Sequence, residues 1–211
     1  MVGVTLTSAR QVQEERGDIV WHSLPEVHAT VSRLPDLYWK SVVSTLAFAG
    51  LRLSELAWLR TTDLDLEKGT IWVTTVEDAT GDKHKIKSLH SRRTVNLHPK
   101  LLWPLLREYQ RDLAPGPTVL FPVPEKMRRS RSRPDAAAER WRLDTLGKVL
   151  RRFLRTPQTG MMPLTLRHTF GSLLIRVGRN VTEVAAAMGN TPEVVLRHYA
   201  RLLGHEVHIN F

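Results

Sequence analysis

Near the C-terminus, apolar residues recur at helical spacing, and glycine and proline divide them into three segments. The first segment, 166–177, stops at Gly178, a residue suited to the left-handed conformation that often ends a helix. The second segment, 182–188, stops at Gly189 in the same way. The third begins at 191–193, where threonine, proline and glutamate supply a cap hydroxyl, an early proline and an acid beside the helix dipole. The pattern therefore predicts three consecutive helices.

The preceding part of the chain combines further helical patterns with two short runs of alternating polarity. Gly and Pro residues separate these segments from one another. The predicted helices cover about 23–34, 37–48, 51–59, 100–113 and 144–154; the predicted strands cover 70–74 and 93–97, with a turn at 63–68 and a hairpin tip at 80–82. These elements predict an α+β fold that is mainly helical, with a small antiparallel β-sheet of two or three strands.

The domain organisation follows from length and from the distribution of apolar residues. Residues 1–20 are polar with little periodicity, so they are expected to be an N-terminal arm or the remnant of a linker. A chain of 211 residues can bury one substantial core, and we expect a single domain over 21–211.

Charge and composition narrow the range of partners. Lys and Arg number 31 against 21 Asp and Glu, a formal net charge of +10, which favours a polyanionic partner over a merely soluble basic protein. Cysteine is absent, which excludes disulfides, thiolate nucleophiles and zinc–thiolate sites. No apolar run reaches the roughly 18 residues expected of a membrane span, so no membrane partner is expected.

Three sequence motifs together resemble one known family. AFAGLRLSELAWL contains Arg52, and KIKSLHSRRTVNL leads into the second predicted strand. PLTLRHTF contains Arg167 and His168, and Tyr199 follows ten residues after the glycine of a Met-Gly step at 188–189. In this order and spacing the motifs resemble the tyrosine recombinase, or phage integrase, family. The resemblance implies the catalytic-domain fold of that family over most of the chain.

The resemblance also implies a reaction and assigns its residues. Arg52 and Arg167 would clamp a DNA phosphodiester, since arginine offers paired donors and keeps its charge. Tyr199 would attack phosphorus and form a 3′-phosphotyrosyl link. Lys87, with Lys85 and Lys83 as substitutes, would protonate the leaving 5′ oxygen. No metal or nucleotide cofactor is expected.

Two positions depart from the family pattern. Leu164 lies three residues before Arg167, where a histidine is usual, and leucine cannot transfer a proton. Asn190 follows Gly189, where histidine or tryptophan is usual; its amide can still donate a hydrogen bond to a phosphate oxygen. These departures predict reduced activity or its loss.

Double-stranded DNA is the expected partner, with a homotetramer on paired sites and a cytoplasmic location implied by the resemblance. Further residues expected at the DNA are mostly basic: Lys83, Lys85, Arg92, Arg128, Arg129, Arg131, Arg133 and His168. His168 follows Arg167 directly, so it is expected to point away from that side chain and to serve as a structural hydrogen-bonding residue.

Simpler interpretations remain open for the same residues. Tyr199 shares an apolar stripe with Val195 and Leu202 and could be a core residue, and Glu55 lies one turn from Arg52 and could form a structural ion pair with it. At the level of function, the alternatives are a DNA-binding protein that keeps this fold without the reaction, and a type IB topoisomerase. An RNA-binding module is less supported, because no aromatic stacking motif is visible.

The length upstream of Arg52 is too short for the N-terminal helical domain that relatives usually carry. The chain is therefore expected to be a fragment or a minimal member of the family.

Overall fold

A computed structural model describes residues 19–74, 92–113, 119–127, 140–155 and 160–203. Helices predominate in these ranges, and two single 3-10 turns, Thr61–Asp63 and Glu125–Met127, join them. The α-helices are α1 (Leu24–Ser32), α2 (Leu37–Phe48), α3 (Leu53–Trp58), α4 (Trp103–Asp112), α5 (Leu143–Leu154), α6 (Pro163–Arg176), α7 (Val181–Met188) and α8 (Pro192–Leu203). The strands are β1 (Leu64–Asp65), β2 (Thr70–Val73) and β3 (Arg93–Asn96). The predicted fold class is confirmed.

Local signals account for several of the helix boundaries. The carboxylate of Asp36 accepts a hydrogen bond from the Trp39 backbone and begins α2. The side chain of Asn180 accepts from the Glu183 backbone and begins α7. Gly178 (φ 82°) and Gly189 (φ 62°) have the left-handed conformation that ends α6 and α7, as the sequence predicted.

The sheet is antiparallel in the order β1-β2-β3, with Ile71 opposite Val95. One face, including Ile71 and Val95, enters the core, while Trp72 on the opposite face is exposed. The short strand β1 lies within the segment 63–68, which was predicted to be a turn. Its two residues, Leu64 and Asp65, pair with β2. The predicted hairpin tip at 80–82 lies outside the described residues.

Helix α3 is shorter than predicted, and its first residue decides where Arg52 lies. Gly50 has a positive φ (61°) and packs under the Phe170 ring, so the chain turns sharply before α3 begins. Arg52 is therefore the N-cap of α3 instead of a helical residue. Helix α4 also begins later than predicted, since residues 99–102 form turns.

Helices α2 and α6 form the centre of the core, and α6 also contacts α5, α7 and α8. Leu46 of α2 and Leu166 of α6 are fully buried. The segment before α1 lies against α6: His22 is buried, its backbone N–H donates to the Thr169 hydroxyl (2.9 Å), and its Nε2 lies 2.9 Å from the Thr165 hydroxyl. Helix α6, which bears Arg167, is thus fixed from several sides.

Candidate active site

Arg52 lies at the start of α3 and is partly open to solvent, with 34% of its side chain exposed. Its Nη1 donates to the Glu55 carboxylate (2.7 Å). Its Nη2 donates to the backbone carbonyl of Gly189 and to Oδ1 of Asn190, both at 2.8 Å. Since a guanidinium has five N–H donors, Arg52 retains donors for an anion beyond these three contacts.

Arg167 is more deeply buried, on the face of α6 that meets the turn at Gly50 and the end of α7. It donates to the carbonyls of Gly50 and Met188 and to Oδ1 of Asn190 (3.2 Å). Burial, together with the nearby charges of Arg52 and Arg93, lowers its pKa to about 10. Arg167 therefore remains a cation at neutral pH.

Asn190 connects the two arginines that the sequence assigned to the clamp. Its Oδ1 is the atom that faces them, because both contacts come from guanidinium donors. The amide NH₂ group of Asn190 takes no part in these two hydrogen bonds. The turn that presents Asn190 depends on Gly189, whose left-handed conformation directs the chain from α7 toward α8.

Glu55 and Arg93 complete this group, and the sequence analysis did not assign either to the site's chemistry. Arg93, at the start of β3, forms a two-point ion pair with the Glu55 carboxylate (3.1 and 2.9 Å) and donates from Nε to the Ala187 carbonyl (2.8 Å). Arg167 Nη1 lies 3.9 Å from the same carboxylate. Burial alone would raise the pKa of Glu55, but the hydrogen bonds and charges of Arg93 and Arg52 bring it down to about 2.

The ion pair between Arg52 and Glu55, weighed above as a structural alternative, is present. It joins a larger cluster of three arginines around one glutamate, so a net positive charge remains after pairing. The alternation of β3 could have indicated that Arg93 faces the core, because Val95 lies on the same face. A buried arginine needs an acidic partner, which points to Glu55.

Tyr199 lies on α8 with 1% of its surface exposed, on the apolar stripe predicted from Val195. Its hydroxyl is 3.0 Å from Nδ1 of His168. Burial raises the pKa of Tyr199, and the charge of Arg167 acts in the opposite direction. The tyrosine is therefore both a core side chain and a neighbour of the arginine cluster.

His168 was expected to point away from the Arg167 side chain and to form a structural hydrogen bond. It is half-buried and contacts Tyr199. Its pKa is lowered to about 4 by burial and by the charges of His198 and Arg167. The ring is therefore uncharged at neutral pH, consistent with the predicted hydrogen-bonding role.

Gly171 makes the position of Tyr199 possible. A Cβ atom at Gly171 would lie 2.8 Å from both Cζ and Oη of Tyr199 and 2.7 Å from Sδ of Met188. Such distances are shorter than any normal carbon contact, so only glycine admits the phenol ring at this depth.

The remaining predicted positions are not part of this cluster. Leu164, at the usual histidine position, is 62% exposed and makes no polar contact that could replace an imidazole. Arg92 is exposed and lines a cavity of about 370 Å³ at the end of the sheet. Seven predicted residues fall outside the described residues: Lys83, Lys85, Lys87, Arg128, Arg129, Arg131 and Arg133.

The described residues contain neither a metal-binding cluster nor a membrane-spanning helix. In that part of the chain, no group of three or more His, Asp or Glu side chains is arranged to hold a metal ion. Within the same ranges, no helix has both the length and the apolar character needed to cross a membrane.

The cluster is chemically suited to an anion that gains charge during a reaction. Two arginines are held in fixed orientation by Glu55, Asn190 and backbone carbonyls, so their charges need little reorganisation when an anion binds. The Tyr199 hydroxyl lies beside them together with a neutral imidazole. This arrangement fits phosphoryl transfer to a tyrosine.

Comparisons with known proteins agree on one family. The sequence model of the phage integrase family matches residues 25–205. An integrase/recombinase of Sinorhizobium fredii, y4qK, is 29% identical over 184 residues, which cover 86% of this chain and 52% of that protein. The chain thus spans about half the length of this relative.

Solved structures of similar fold are also recombinases. The crystal structure of XerA recombinase superposes with a TM-score of 0.68 at 19% identity, covering 92% of this chain and 65% of that chain. The Tn1549 transposon integrase, in complex with circular intermediate DNA, gives a TM-score of 0.65 at 17% identity and covers 85% and 62% of the two chains. At these identities the likeness shows a shared fold.

Proposed function

Because this chain belongs to the phage integrase family, we propose that it cleaves and rejoins DNA strands through a covalent 3′-phosphotyrosyl intermediate formed on Tyr199. Residues 21–211 would form the catalytic domain. The substrate would be double-stranded DNA, and the Tn1549 integrase described above is itself in complex with a circular intermediate DNA. The net charge of +10 supports a polyanionic substrate.

The observation that carries the proposal is the joining of Arg52 and Arg167 through one side chain. The two arginines come from distant segments of the chain, and Asn190 accepts a hydrogen bond from each guanidinium group. A phosphodiester bound there gains negative charge on its non-bridging oxygens as it is attacked, and fixed cations stabilise that charge. Removing one such donor typically slows a reaction by about 10²-fold or more.

The remaining roles follow from the chemistry of strand cleavage. The 5′ oxygen leaves with an electron pair and needs a proton, which we assign to Lys87 as general acid. Asn190 would offer its amide NH₂ group to a phosphate oxygen while its Oδ1 holds the arginines. Leu164 would supply nothing to the reaction, so the rate would be lower than with a histidine there.

The burial of Tyr199 sets a condition on this mechanism. With 1% of its surface exposed, the phenol meets a phosphate only after groups that cover it move. We therefore expect DNA binding to uncover the Tyr199 hydroxyl, and expect the tyrosine to be unreactive in the free protein.

The test uses nicked duplexes whose leaving strand is lost after cleavage, drawn from the DNA that flanks the gene. Wild type and Tyr199→Phe are incubated with each duplex and analysed on a denaturing gel. A protein–DNA adduct formed by the wild type alone supports the proposal. Phenylalanine is the matched control, because it fills the same buried volume and lacks only the hydroxyl.

Two other outcomes would contradict it. Equal, salt-sensitive binding by both proteins without an adduct from either would favour a non-catalytic DNA-binding protein of the same fold. Relaxation of a supercoiled plasmid that lacks any candidate site would favour a topoisomerase. Assembly as a homotetramer on paired sites belongs to the same proposal, and the mass of the complex on DNA measures it.

A further inference from the structure

The histidines that serve proton transfer in the family pattern are replaced here by Leu164 and Asn190, yet one imidazole still lies at the nucleophile. Nδ1 of His168 is 3.0 Å from the hydroxyl of Tyr199, within hydrogen-bond distance. Arg52, Arg93 and Arg167 are cations and have no acceptor for a proton. Glu55 is engaged by these arginines.

We propose that His168 is the catalytic base of this chain: its Nδ1 accepts the hydroxyl proton of Tyr199 as the phenol oxygen attacks phosphorus. This inference rests on the proposed function and gives His168 a role that the sequence motif did not assign to it. His168 touches the reacting oxygen directly, so the role is catalytic and not only one of positioning.

Strand cleavage in this scheme involves two proton transfers. The Oη–H proton of Tyr199 moves to Nδ1 of His168 while the oxygen forms the bond to phosphorus. The bond between phosphorus and the 5′ oxygen breaks, and that oxygen takes its electron pair and a proton from the general acid assigned to Lys87. On rejoining, a 5′ hydroxyl attacks the phosphotyrosine and returns its proton to Lys87, the bond between phosphorus and the Tyr199 oxygen breaks, and that oxygen recovers its proton from His168.

The surroundings of the ring supply the required protonation state. The groups that act on His168 are Arg167 on its own helix and Tyr199 and His198 on α8. Burial, followed by the electrostatic effects of His198 and Arg167, lowers the pKa of His168 to about 4, so its lone pair is available at neutral pH. A bound phosphodiester adds negative charge beside the ring and raises this pKa toward the range in which a base is effective.

The proposed step requires one direction of this hydrogen bond, from the Tyr199 hydroxyl to Nδ1 of His168. Tyr199 is held by Gly171 below the ring, where a Cβ atom would collide with Cζ and Oη. With the phenol in this position, its single proton has His168 as the hydrogen-bond partner within the described residues. The base therefore requires the tautomer in which Nε2 carries the hydrogen and Nδ1 does not.

The kinetic test uses His168→Asn. The Oδ1 atom of asparagine takes the place of Nδ1 and accepts the tyrosine hydrogen bond, but it cannot take the proton. We expect adduct formation on the nicked duplexes to slow by about 10²-fold or more. We also expect the acid limb of the wild-type pH–rate profile to disappear. His28→Asn is the matched control, because His28 is exposed on α1.

A modified substrate separates the two proton transfers. When sulfur replaces the bridging 5′ oxygen, the leaving thiolate needs no proton, so loss of the general acid is tolerated and loss of the base is not. We expect the defect of His168→Asn to persist on this substrate. Recovery of the wild-type rate would place His168 on the leaving-group side and overturn the assignment, as would a wild-type rate on the normal substrate.

A second measurement needs no DNA cleavage. Nitrogen-15 NMR of the full chain, with the His168 signals identified by their loss in His168→Asn, reports which ring nitrogen carries the hydrogen. An unprotonated Nδ1 supports the inference, and a protonated Nδ1 overturns it even if no duplex is cleaved. An active wild type with an equally active His168→Asn would leave the proposed function intact and remove only this inference.

Discussion

At the residue scale, the carboxylate of Glu55 lies between Arg52, Arg93 and Arg167, and only about 10% of its side chain is exposed. Its negative charge lets these cations approach one another at the start of α3. Without it, Arg93 and Arg167 would be buried beside each other with backbone carbonyls and Asn190 as partners. Glu55 therefore links the stability of the fold to the geometry of the candidate site.

We expect Glu55→Gln to lower the free energy of unfolding by about 3 kcal/mol at pH 7, since it leaves buried cations without a counter-ion. The folded-state pKa of Glu55 is about 2, below its ordinary value of 4.5. The stability from this charge is therefore present above about pH 4.5 and is lost as pH falls toward 2. Urea unfolding at pH 7 and pH 3 measures both values.

The difference between wild type and Glu55→Gln should accordingly be smaller at pH 3 than at pH 7. A difference that stays constant would show that the charge of Glu55 is not what stabilises the cluster. Glu67→Gln is the matched control, because Glu67 is exposed on the turn between β1 and β2. This control should change stability by less than about 0.5 kcal/mol.

Asn190 shows how a residue outside the family pattern can still serve the site. A histidine or tryptophan has no side-chain oxygen to accept hydrogen bonds from two arginines. Asn190 has one, at 2.8 Å from Arg52 and 3.2 Å from Arg167. From the sequence, Asn190 is expected only to donate a hydrogen bond to a phosphate oxygen. In the structure, its Oδ1 accepts hydrogen bonds from Arg52 and Arg167.

At the element scale, the close packing of α6 against α7 and α8 depends on glycine. Gly171 lets Tyr199 of α8 and Met188 of α7 approach the backbone of α6. Helix α6 also carries Arg167 and His168, so one helix provides the buried cation, the imidazole and the space for the Tyr199 ring. A change in this packing acts on all three.

We expect Gly171→Ala to destabilise the protein by about 1–3 kcal/mol through overpacking, although alanine favours helix more than glycine does. It should also slow adduct formation at least tenfold, because the added methyl group displaces Tyr199 from His168. Thermal unfolding and the nicked-duplex assay measure the two effects.

Gly147→Ala on α5 is the matched control for this prediction. There a Cβ atom would meet Arg151 Nη1 at 3.5 Å and Leu53 Cδ2 at 3.6 Å, which are ordinary contacts. This variant should gain about 0.5–1 kcal/mol from helix propensity and keep its activity. Stabilisation of both variants would show that the space beside Gly171 is not restricted.

At the scale of the whole molecule, a net charge of +10 favours association with DNA before any specific contact forms. Arg52 contributes to this field from a partly exposed position, while the charge of Arg167 is largely enclosed. Arg52 is therefore the most accessible of the three arginines of the cluster to an anion in solution.

We expect the logarithm of the DNA-binding constant to fall linearly with the logarithm of salt concentration. Arg52→Ala should reduce the slope by about 0.9, the value for one lost phosphate contact. Tyr199→Phe removes no charge and should keep the wild-type slope. Fluorescence anisotropy between 50 and 200 mM salt measures the slopes, and an unchanged slope for Arg52→Ala would contradict a phosphate contact.

The sequence by itself determined the helices at the C-terminus, the antiparallel pairing of the 70–74 and 93–97 runs and the family. Glycine, proline and capping residues act over a few neighbouring positions. The helix ends at Gly178 and Gly189 and the start of α8 could therefore be predicted from the local sequence. The ion pair between Arg52 and Glu55 could also be predicted, because the two residues are only three positions apart. Tyr199 was identified by its spacing in a motif, a property of the chain and not of its packing.

Only the tertiary structure decided how those residues meet. Arg93 binds Glu55 across the gap between sheet and helix, Asn190 joins two arginines from distant segments, and His168 turns toward Tyr199. The contact of His168 with Tyr199 depends on the packing of α6 against α8, where the missing Cβ of Gly171 leaves room for the phenol ring. Local spacing does not contain that information, because hydrogen bonds between distant segments exist only once the core has formed.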